Sequence, residues 1–217
     1  MEQLKLPKLL TDGLLTTLGV LGALYCVITA FDLQVDFPVL LLVTVCSSLL
    51  FTSFFLWKRA LWLLLPYSLL LLLAFVLGGM SEALGQPLVQ LSHDILSRFS
   101  SAYPNFTFVI PAEPQAFISS YTLLFSMAAM VLSGWVAWGV GYRSVIITVA
   151  GTLPFLLLCV IINDTPPQVV PLVLLLSVWT VVMLAKSRRG EPAYLNALRL
   201  LLTLMAVLLL LGVVGTV

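Results

Sequence analysis

The only histidine in the chain, His93, stands beside Asp94, and an imidazole next to a carboxylate is half of a catalytic or proton-handling pair. Adjacent residues on a helix diverge by about 100°, and no nucleophile stands in a matching position. A solvated polar face is the expectation for this pair. Three cysteines, Cys26, Cys46 and Cys159, all fall inside apolar segments. There a thiol stays protonated and inert, and their spacing is neither that of a metal site nor that of a redox pair. They read as small, polarizable core residues. Transporters, proton pumps and voltage sensors place charged side chains within membrane spans, where a charge can be paired, relayed or moved by the field. No ionisable side chain falls in the middle of any apolar segment of this sequence. The polar residues inside those segments are hydroxyls, among them Thr16, Thr17, Ser47, Ser48, Thr52, Ser53, Ser119, Ser120, Ser126 and Ser133. Such groups bond back to their own helix or across to a neighbour. The reading therefore assigns no catalytic, cofactor-binding or metal-ligating residue.

The elements that carry these residues follow from composition. The chain is 61% hydrophobic and 9% charged, against roughly 25% charged in a soluble domain, which excludes an ordinary soluble fold. Seven apolar segments stand out: Gly13–Phe31, Pro38–Trp57, Leu61–Gly79, Phe117–Gly139, Ser144–Ile162, Gln168–Ala185 and Asn196–Val217. At roughly 1.5 Å of rise per residue, each matches a hydrocarbon core of about 30 Å. Threaded in order, nine of the ten Lys and Arg residues fall on one side. Lys5 and Lys8 precede the first segment, Lys58 and Arg59 follow the second, and Arg143 follows the fourth. Lys186, Arg188, Arg189 and Arg199 lie at the junction of the sixth and seventh, and Arg98 is the exception. Short loops rich in Lys and Arg stay in the cytoplasm. The expectation is an all-α polytopic membrane helix bundle of about seven transmembrane helices, with its N-terminus inside and its C-terminus outside. Net charge of +1 in small scattered groups gives no phosphate-tracking stripe, so nucleic acid is excluded as a partner and the bilayer is the expected one.

The first segment is too long for the apolar core of a signal peptide and is soon followed by another, so it reads as retained. The longest connection, Met80 to Ala116, is expected outside. Leu84, Leu88, Leu91, Ile95 and Phe99 recur there at helical spacing, which predicts a short amphipathic helix on the membrane surface. Pro87 suits a first turn, so its regular part is expected from Pro87 to Phe99. Phe106 and Phe108, between Tyr103-Pro104 and Ile110-Pro111, suggest an extended aromatic lid. Pro66 and Pro154 lie within apolar segments and predict kinks. Gly19 and Gly22, with Ser133, Gly134, Ala137, Gly139 and Gly141, supply the small residues that let helices approach closely. Trp57, Trp62, Tyr67, Tyr121, Tyr142 and Tyr194 cluster near segment ends, as interfacial anchors do.

The chain resembles the N-terminal membrane region of bacterial membrane-anchored transglutaminase-like proteins. The resemblance rests on the basic start Glu2-Gln3-Leu4-Lys5-Leu6-Pro7-Lys8, the multi-span bundle, the Asn163–Pro167 turn, the basic Lys186–Pro192 loop and a last segment pointing outward. In that family an extracytoplasmic domain follows the bundle and uses a Cys, a His and an Asp. That region would begin after Val217, so the resemblance carries no catalytic residue onto these positions and implies an anchor rather than an enzyme. It implies a multi-pass protein of the bacterial cell membrane, with residues 1–217 as one transmembrane bundle and the following soluble domain absent from this sequence. Two function classes are weighed. One is an anchor and scaffold presenting an extracytoplasmic transglutaminase- or peptidase-like domain of the same parent chain. The other is a transporter or channel subunit for an apolar or lipid-like solute. A membrane-embedded enzyme ranks last, for want of paired polar residues at a common depth.

Overall fold

The computed structural model describes residues 5–56, 80–103, 105, 121–162, 169–187 and 195–203. Every element among them is helical: α1 Lys5–Phe31, α2 Phe37–Leu56, α3 Met80–Ala102, α4 Thr122–Gly141, α5 Val145–Ile162 and α6 Val169–Ser187. Residues 195–203 are helical as well. Long runs of Leu, Val, Ala and Phe with few helix breakers leave no other way to satisfy the backbone where water is excluded. Three helices, Leu6–Phe31, Phe37–Leu56 and Thr122–Gly141, are long and apolar enough to cross a membrane. The segments expected at Leu61–Gly79 and across most of Asn196–Val217, the Asn163–Pro167 turn and the Phe106–Phe108 lid lie outside the described residues.

Helix ends have local causes. Pro38 sits in the first turn of α2, where its missing N–H is no loss. Asp32, just past α1, has φ 53°, and the Leu33 N–H donates to the Ile28 carbonyl at 3.0 Å. This is the left-handed stop of a Schellman cap, which a short polar Asp tolerates. Three expected starts move, and α4 begins at Thr122, not Phe117, because Tyr121 is not helical. The first helix begins at Lys5, not Gly13, which brings Lys8 and Asp12 into the helix. The outer helix begins at Met80, not near Pro87, so that proline lies inside it.

α1 is the centre of the bundle, packed by α2, α4, α5 and α6. Its glycines make this possible. A Cβ on Gly22 would meet the Leu175 backbone N at 3.1 Å, and one on Gly19 would meet Val136 and Val178 at 3.3 Å. The small-residue reading of this helix holds. The surrounding core is filled by Leu15, Val20, Leu24, Val136, Leu175 and Val178, all fully buried. Outward faces are apolar instead of polar: Ile146 is 82% exposed, Leu42 65% and Met183 64%. An outward hydrophobic belt with hydroxyls turned inward fits a lipid surround. Cys46 belongs to that belt and is exposed, whereas Cys26 and Cys159 are buried. The expectation of three core cysteines is corrected for Cys46.

The described helices share two polar ends. Asp12 near the start of α1 meets Arg143 just past α4. At the other end, the Asp36 N–H donates to the Thr122 hydroxyl at 2.8 Å and the Tyr121 N–H to the Gln34 carbonyl at 3.0 Å. Helices α1 and α4 are therefore antiparallel. Gly19 facing Val178 and Gly22 facing Leu175 make α1 and α6 antiparallel as well.

Candidate functional site

Asp12 lies seven residues into α1, about 10 Å along it at 1.5 Å per residue. It is only 1% exposed. A carboxylate there needs a partner, and the Arg143 guanidinium supplies it, donating from Nη2 to Oδ1 at 2.5 Å. The turn after α4 delivers that arginine. The Ser144 N–H bonds to the Gly139 carbonyl at 2.9 Å and the Arg143 N–H to the Val140 carbonyl at 3.1 Å. That is a Schellman cap whose left-handed position, usually glycine, is held by Arg143 at φ 51°. An arginine in this conformation costs about 1–2 kcal/mol and persists only where its surroundings fix it. Gly139 is required beside it. A Cβ there would run into the hydroxyl and backbone of Thr148, and α5 could not fold back so tightly.

Beside the ion pair is a cavity of about 360 Å³ lined by Lys8, Asp12, Thr52, Phe55, Leu56, Gly141 and Tyr142. Lys8 is four residues before Asp12, on the same helix face. Two donors here have no partner: Arg143 Nη1 and the Thr52 hydroxyl, both buried. The Thr52 case stands out against its own kind. Buried Thr11, Thr16, Thr17, Thr44, Thr148 and Thr152 each donate to the carbonyl four residues back. Among the serines, Ser47 donates to Ser133 at 2.9 Å, joining α2 to α4, whereas the buried Ser126 hydroxyl has no partner either.

At the opposite end, α3 docks through polar contacts. Tyr121 donates to Asp94 Oδ2 at 3.4 Å, His93 Nδ1 lies 3.8 Å from Asp94 Oδ1, and Arg98 sits 5.4 Å from the centre of the Phe31 ring. Asp94 is thus a docking residue as well as a polar-face one. Tyr121, expected as an interfacial anchor, is buried instead, because the start of α4 is covered by α3 and the α1–α2 connection.

The sequence reading left the Asp12–Arg143 pair unassembled. Starting the first segment at Gly13 put Asp12 in a loop, and Arg143 read only as a topology marker. The available signal was an acidic residue one position before an apolar run whose nearest preceding charges, Lys5 and Lys8, are basic, with an arginine in the short turn at the same expected depth. Compared with known protein families, curated proteins and solved structures, the chain matches none.

Proposed function

We propose that this chain is an integral membrane anchor and scaffold. In this reading it crosses the bilayer seven times, with the Lys8–Arg143 end in the cytoplasm and its last residue outside. There it presents an extracytoplasmic domain of the transglutaminase- or peptidase-like kind that the resemblance suggests, in a bacterial cell membrane. The observation that supports it most is the filled core around α1. Glycine contacts and fully buried aliphatic side chains lock that helix among four neighbours, which suits a rigid holder better than a moving carrier. A reporter enzyme fused after Val217 tests it. Activity accessible to an impermeant substrate on intact cells is expected, and activity released only by lysis contradicts it.

One observation favours the second reading, a carrier for a lipid-like solute: the cavity at the basic end, lined by the polar Lys8, Asp12 and Thr52 and by the apolar Phe55 and Leu56. Vesicles containing the chain are expected to show no proton- or sodium-driven uptake, since ion coupling needs groups that bind the ion at depth. Saturable, ion-dependent flux would put the carrier ahead of the anchor.

A further inference from the structure

We infer that the cavity between the start of α1 and the ends of α2 and α4 is a binding site for a phosphoryl group. Its volume of about 360 Å³ exceeds the roughly 30 Å³ share of one water and falls in the range of about 300–1,000 Å³ typical of small-ligand pockets. Charge decides the sign of the ligand. Asp12 is already held by Arg143, so Lys8 adds a positive charge to the cavity wall. The uncommitted polar group in the cavity wall is a donor, the Thr52 hydroxyl. A hydroxyl on α2 and an ammonium on α1, both in the cavity wall, suit an acceptor with oxygens in several directions. A phosphoryl group offers that and pairs well with Arg and Lys. A buried hydroxyl with no partner is destabilising unless something completes it, and Thr52 alone among the described buried threonines is left in that state. Phe55, Leu56 and Tyr142 form the apolar remainder of the wall. The phosphoryl group can therefore come from a lipid headgroup or from a soluble phosphate.

The full chain in nanodiscs separates these sources. In discs of phosphatidylcholine alone, inorganic phosphate is titrated by calorimetry. In discs containing phosphatidic acid as the minor lipid, retained lipid is read by native mass spectrometry. Saturable heat with phosphate supports the site with a soluble source. Selective retention of phosphatidic acid without that heat supports it with a headgroup source. Thr52→Val and Lys8→Gln are each expected to weaken whichever binding occurs about tenfold, the scale of one hydrogen bond to a charged group. Thr52→Val is also expected to melt no lower than the parent protein, because it removes an unpartnered buried hydroxyl. Absence of both kinds of binding, or equal binding by parent and variants, overturns the site. So does a lower melting temperature of Thr52→Val with unchanged binding, which makes the hydroxyl purely structural.

Discussion

Asp12 and Arg143 are each tolerable in their positions only because of the other. Removing one partner of a buried pair leaves an uncompensated charge, at a cost of about 3–5 kcal/mol. Asp12→Ala is therefore expected to lower stability by about that amount in detergent micelles, measured by denaturant unfolding. Replacing both residues, Asp12→Leu with Arg143→Met, is expected to recover most of the loss. A loss in the double variant equal to the sum of the two single losses would show that the two residues are not coupled. The left-handed backbone gives a second comparison. Arg143→Gly should be about 1 kcal/mol more stable than Arg143→Ala, since both lose the ion pair and only glycine relieves φ 51°. Beyond the placement of an acid after two bases, the pair was not legible in the sequence, because a residue's pairing across 131 positions leaves no local periodicity. Thr52 was legible as an intramembrane hydroxyl, but its missing partner was not, since six similar threonines take the ordinary bond to their own helix.

At the scale of helices, close approach is the controlling quantity. Gly139→Val must push α5 away from α4, because the added atoms fall on Thr148. Overpacking of this kind is expected to destabilise by about 1–3 kcal/mol in the same unfolding assay. A stability unchanged by this substitution would mean that the hairpin is looser than its geometry indicates. For α3, cysteines placed at Leu88 and Val89, which are exposed, should be labelled by a water-soluble maleimide. Cysteines at Leu91 and Ile95, which pack against the core, should be protected. Uniform labelling would detach α3 from the bundle. The helices themselves were readable from sequence because long apolar runs specify them strongly. Their starts were not. Lys5–Asp12 and Met80–Gln86 are polar enough to pass for loop. The outward placement of Cys46 was equally hidden, since a helix that is apolar all round does not announce which face is buried.

For the whole molecule, the two polar ends are the organising feature. Lys8 and Arg143 share one end with Asp12, while Asp36, Asp94 and Tyr121 gather at the other. With the preference of Lys and Arg for cytoplasmic loops, this division supports the orientation proposed for the bundle. The central claim is that orientation together with its span count, and mapping by paired reporters tests it most directly. Fusions of alkaline phosphatase, active only outside, and of a fluorescent protein, active only inside, are placed after Lys58, Arg143 and Arg189, within Asp32–Asp36 and Met80–Ala116, and after Val217. Cytoplasmic signal is expected at the first three sites and extracytoplasmic signal at the remaining three. A cytoplasmic Val217, or an extracytoplasmic Arg143, would contradict it.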